Sequence, residues 1–189
     1  MNIAILGWGS LIWDKRSLPI TGDWQRGGPI LPIEFSRVSS DGRLTLVIDP
    51  QNGAGVTTRY ALSASVNLNE AIACLREREG TTKERIGFVN LVSNTEREWS
   101  RQQHPGACDA IKAWAQAHDW QSVIWTALPS NFESEGRPPF SVPAAMAYVN
   151  GLTGETKTRA LEYLQRAPEE VDTPIRRQLL AQPHHELAP

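Results

Sequence analysis

The sequence predicts an α+β fold. Apolar strand-like runs crowd the first half of the chain, helical periodicity dominates the second half, and one helix interrupts the strands after about four of them. A doubly wound sheet would need strands and helices to alternate throughout, and they do not. The 189 residues suit one domain with one core, with residues 1–182 forming that domain and 183–189 a frayed, flexible tail.

The elements follow in chain order. Residues 2–6 are an apolar run ended by glycine, as in a strand buried on both faces. Gly7-Trp8-Gly9-Ser10-Leu11-Ile12-Trp13 is too rich in glycine for a strand interior and reads as a loop, and residues 14–30, with their prolines and glycines, as irregular surface chain. Residues 31–38 and 43–49 are expected strands joined by a hairpin turn at Ser39-Ser40-Asp41-Gly42, and a further strand is expected over 56–62. Asn67 then caps a helix, with Glu70 placed as in a capping box, and Gly80 stops it. Strands are expected over 86–92 and 122–128, with helices over 107–118, 142–150, 155–166 and from Thr173-Pro174 onward.

Composition narrows the function. Aliphatic and aromatic residues make up 40% and charged residues 21%, with a formal net charge of −2. Basic residues are scattered, so a nucleic-acid partner is not expected. No apolar stretch approaches 18 residues and the N-terminus lacks the build of a signal peptide, so no membrane partner is expected and the location is expected to be cytoplasmic. Cys74 and Cys108 are too few for a disulfide scaffold and too far apart for metal spacing, and read as reduced thiols. None of the histidines at 104, 118, 184 and 185 has metal-ligand spacing, so no metal site is expected.

Two features carry chemistry. The first is the loop of Gly7, Trp8, Gly9, Ser10 and Leu11 after a buried strand. Glycine lets the backbone approach a ligand, and successive N–H groups facing one hollow make a nest for an anion or a carbonyl oxygen. The loop is not a dinucleotide fingerprint, because Ile12 stands where a third glycine belongs. It is not a nucleophile elbow either, because Trp8 and Ile12 flank Ser10. The second feature is Glu79. At about 100° per residue it continues the helical stripe of Leu68, Ala71, Ile72 and Leu75, whereas Arg76 and Glu77 fall on the solvent side. A carboxylate on a core face, in the last helical turn, should have a raised pKa and suits general acid/base work. Fraying at the helix end, or pairing with Arg78 or Lys83, is the bland alternative. Arg37 is a candidate either to pair with Glu79 or to bind a substrate carboxylate.

The segment 7–13 resembles the signature that opens the γ-glutamylcyclotransferase-like superfamily, and its Ile12-Trp13 extension is most similar to the ChaC-type branch. Leu75-Arg76-Glu77-Arg78-Glu79-Gly80 is similar to that family's second motif, in which the glutamate is the catalytic acid/base. The resemblance covers residues 1–92. It implies a small mixed β-barrel with flanking helices and extra C-terminal ones, and a loop at 7–11 that binds a γ-glutamyl group through its amides. It also implies cyclisation of that group to 5-oxoproline with release of an amine, amino acid or peptide, with Glu79 as acid/base and no cofactor. Trp8 stands where the family has tyrosine. The alternatives are a non-catalytic module that uses Trp8 to dock a ligand or partner, and an amidase-like relative in which Glu79 activates water.

Overall fold

No residue of β1 (Ile3–Gly7) has a polar side chain, and all five are buried. Such a strand needs cover on both faces. In the computed structural model, which describes residues 1–134 and 136–181, β1 has that cover at the interior of a six-stranded sheet ordered β2-β6-β1-β9-β7-β8. The other strands of that sheet are β2 (Ile20–Gln25), β6 (Arg59–Ser63), β9 (Ser122–Thr126), β7 (Ile86–Asn90) and β8 (Thr95–Glu96). β1 runs antiparallel to β6, with Ala4 opposite Leu62, and parallel to β9, with Ile3 opposite Ser122. A second sheet, ordered β4-β3-β5, holds β4 (Leu44–Ile48), β3 (Ile30–Val38) and β5 (Ala54–Thr57).

The two faces of β1 serve two cores, as the two-residue period of a strand requires. Ile3 and Ile5 pack with Ala71, Ile72 and Leu75 of α1 (Leu68–Glu79). Ala4 and Leu6 face a larger cluster shared by both sheets and four helices. These are α3 (Pro105–Ala117), α4 (Val142–Gly151), α5 (Gly154–Arg166) and α6 (Pro174–Leu180). A short α2 (Glu98–Gln103) precedes α3.

The fold class is therefore α+β as expected, but the described strands form two open sheets instead of a closed barrel. The expected strand over 56–62 is two strands. Its apolar pattern runs on, yet the chain changes sheet at Thr58, whose N–H and hydroxyl both donate to the Pro29 carbonyl at 3.1 and 2.8 Å. Gly28 lies against this corner, where a Cβ would stand 2.5 Å from Thr58 Oγ1. The irregular stretch expected over 14–30 contains β2, a strand of mostly exposed polar residues with Gly22 at φ 72° and an uneven register against β6. The helices expected from 142 onward form close to their expected bounds. The expected tail, 183–189, lies outside the described residues. Among the described residues no helix is long and apolar enough to cross a membrane.

Candidate functional site

The site begins with the way α1 starts and stops. Asn67 Oδ1 accepts from the N–H groups of Asn69 and Glu70 at 2.9 and 3.2 Å, which fixes the first turn. Glu70 does not complete the expected box. Its carboxylate binds the Ser65 hydroxyl, and Ser65 Oγ accepts from the Asn67 N–H instead. At the other end Gly80 has φ 60°, and the bonds Gly80 N–H to Glu77 O and Thr81 N–H to Arg76 O close a Schellman turn. This stop holds Glu79 in register with the buried stripe. Its side chain keeps 14% of its surface exposed, and that of Arg78 only 4%. Arg76 and Glu77 are exposed, as expected.

Glu79 lines a cavity of about 400 Å³ together with all five residues of the loop 7–11. Its carboxylate accepts from Arg78 Nη1 at 2.8 Å, and the Thr126 hydroxyl lies beside it without a hydrogen bond of good geometry. Burial pushes the Glu79 carboxyl above the ordinary carboxylate value, and the charge of Arg78, the Thr126 hydroxyl and Arg16 pull it down without cancelling that rise. Arg78 also ties Glu79 to the loop, with Nη2 on Ser10 Oγ at 3.1 Å and Nε on the Asp14 carbonyl at 3.2 Å.

The loop itself is a bend of unengaged donors. The main-chain N–H groups of Trp8, Gly9 and Leu11 have no protein acceptor among the described residues. The Ser10 hydroxyl oxygen accepts from Arg78 Nη2. Trp8 is 6% exposed, with its indole N–H on the Leu46 carbonyl at 3.4 Å. It is a wall of the hollow and part of the core.

No protein-family model matches the chain, and no curated protein does.

Arg37 lines the same cavity but does not pair with Glu79; its Nη1 donates to the Pro129 carbonyl at 2.9 Å. Tyr163 of α5 also reaches the cavity, its hydroxyl against Gly9, and burial pushes the phenol up to about 12. Nothing in the sequence brings Tyr163 to residue 9, because the contact is made by the packing of a distant helix. Arg78 had a signal. It lies three residues after Leu75 on the same stripe, but an arginine at such a position is usually exposed. Elsewhere, Cys74 and Cys108 are free thiols, and His118 Nδ1 lies 2.9 Å from the Trp114 carbonyl. His184 and His185 lie outside the described residues. Among the described residues no group of three or more His, Cys, Asp or Glu side chains is placed to hold a metal ion.

Proposed function

We propose that this chain is a γ-glutamylcyclotransferase-type enzyme. On this reading its two sheets and flanking helices are an opened form of that family's small mixed barrel, extended by the C-terminal helices. It converts a γ-glutamyl conjugate to 5-oxoproline and a free amine in the cytoplasm. The observation that carries the reading is one cavity shared by a half-dry carboxylate of raised pKa and a bend of unengaged amides.

The chemistry follows from those two parts. Glu79 takes a proton from the substrate's α-ammonium, and the freed amine attacks the γ-carbonyl carbon to close a five-membered ring. The carbonyl oxygen gains negative charge, which the N–H groups of Trp8, Gly9 and Leu11 would hold. Protonated Glu79 then delivers its proton to the departing nitrogen as the carbon–nitrogen bond breaks. The ring nitrogen gives up a second proton, and the released amine ends as an ammonium, so charge and atoms balance. A cavity of this size holds the substrate folded for attack, which is where much of the rate arises in a cyclisation.

The test is incubation with a panel of γ-glutamyl amines and amino acids, followed by measurement of 5-oxoproline. Release is expected from the wild type, with kcat reduced at least ~100-fold in Glu79→Gln. Glutamate in place of 5-oxoproline would mean that Glu79 activates water, and no product from any compound would end the proposal.

A further inference from the structure

Four guanidinium groups line the cavity, and three of them already face a carboxylate. Arg16 lies 3.5 Å from Asp14, Arg43 2.8 Å from Asp41 and Arg78 2.8 Å from Glu79. Arg37 is the exception. Half-buried on β3, it has no carboxylate partner among the described residues, and its Nε and Nη2 donate to no protein group there. A second cation stands close by: Arg85, stacked at 4.6 Å on the Trp99 ring, weakens the hold of Arg37 on its proton, as burial does more strongly. Two neighbouring cations, one of them partly desolvated and without an acid, are costly unless an anion completes the set.

The side chain is also held in place. Its Nη1 is fixed on the Pro129 carbonyl, and the segment behind it is fastened to β3 by Asn131, which accepts from Val38 N–H at 2.7 Å and donates to Val38 O at 3.0 Å. This leaves the Nε–Nη2 edge, the fork that binds a carboxylate through two parallel hydrogen bonds.

We propose that Arg37 receives a carboxylate on the departing half of the substrate, so that the site selects γ-glutamyl amino acids over γ-glutamyl amines. This rests on the cyclotransferase reading of the cavity. In the ring-closing conformer the substrate's own α-carboxylate stays within a few bonds of the reacting carbonyl, beside the loop 7–11. The half that reaches a wall built by β3 is the leaving amine.

The experiment compares γ-glutamylalanine with γ-glutamylethylamide, which differ only in that carboxylate. The wild type should favour γ-glutamylalanine by roughly tenfold to a hundredfold in kcat/KM, the range of a charge-assisted hydrogen bond. Arg37→Gln, which removes the charge and the fork, should bring the ratio near one, and Arg37→Lys should restore part of it. Equal use of the two compounds by the wild type overturns the proposal. So does an equal loss on both in Arg37→Gln, which would place Arg37 on the α-carboxylate or in the framework alone. Calorimetric binding of both compounds to Glu79→Gln separates this from the reading beneath it. If the wild type makes no 5-oxoproline, the cyclotransferase reading falls. A binding preference for γ-glutamylalanine that disappears in Arg37→Gln/Glu79→Gln then still supports the anion site, and no preference overturns it.

Discussion

Arg78 is the residue on which the acid/base role proposed for Glu79 turns. It is 5% exposed and spans the carboxylate, the Ser10 hydroxyl and the Asp14 carbonyl. Its charge opposes the desolvation that raises the Glu79 pKa. Arg78→Met keeps most of the stem and removes the charge, so the Glu79 pKa should rise further. A base must be deprotonated to accept the substrate's proton, so the acid limb of the kcat/KM profile should move to higher pH. Activity at neutral pH should fall by roughly tenfold or more, the scale of one lost charged hydrogen bond. Arg78→Lys should return the limb part of the way. A profile that keeps its acid limb in Arg78→Met would show that Arg78 merely braces the loop. At this scale the sequence was legible where helix geometry governs: the 100° step that aims Glu79 inward aims Arg78 inward too. It was silent on Tyr163 and Arg43, which reach the cavity only through tertiary packing.

At the scale of elements, the glycine loop is shaped by α5 as much as by β1. A Cβ at Gly9 would stand 2.6 Å from Tyr163 Oη, whereas the next atoms, Tyr163 Cζ and Leu46 Cβ, lie at 3.6 and 3.8 Å. One oxygen therefore decides whether residue 9 can carry a side chain. Gly9→Ala should cost about 1–3 kcal/mol through overpacking, a fall in Tm of ~2–4 °C per kcal/mol for a chain of this length. Adding Tyr163→Phe should recover most of it, because only the hydroxyl clashes. A double variant no more stable than Gly9→Ala would place the strain in the loop backbone instead. The same scale explains which elements could be read in advance. α1 and α6 announce themselves through side-chain caps that form, Asn67 and Thr173. β2 has one face on β6 and mostly polar, exposed residues, so it lacks the apolar alternation by which strands are recognised. The corner at Thr58 carries no glycine or proline of its own; the close approach is made by Gly28 and Pro29 from another part of the chain.

Over the whole molecule, buried titratable groups of opposite tendency set how stability depends on pH. His104, at the junction of α2 and α3, is 3% exposed; its Nδ1 has no hydrogen-bond partner among the described residues, and burial holds its pKa down to about 4. The unfolded chain takes up this proton near pH 6.5 and the folded chain does not. Stability from this group is thus complete above about pH 6.5 and is lost as pH falls toward 4, at up to ~1.4 kcal/mol per pH unit. Glu34 and Glu79 act in the opposite sense. Burial raises both, so the folded chain keeps protons that the unfolded chain releases above the ordinary carboxylate range, and their contribution declines as pH rises from there. Between about pH 4.5 and 6.5 the three groups partly cancel, and removing one should expose the others. His104→Phe keeps the ring edge-on to Trp99, at 6.2 Å in the native packing, and removes the titration. The loss in stability between pH 7 and pH 5 should shrink by about 2 kcal/mol relative to wild type, readable as several degrees in the difference between the two Tm values. Glu34→Gln should do the reverse and make the acid side steeper, since it removes a group that gains from protonation. If His104→Phe and the wild type lose the same Tm between pH 7 and pH 5, the imidazole is protonated in the fold and contributes nothing to the acid sensitivity there; the lowered carboxylates of Asp41, Glu96 and Glu170 lose their contribution only at lower pH, below the ordinary carboxylate range.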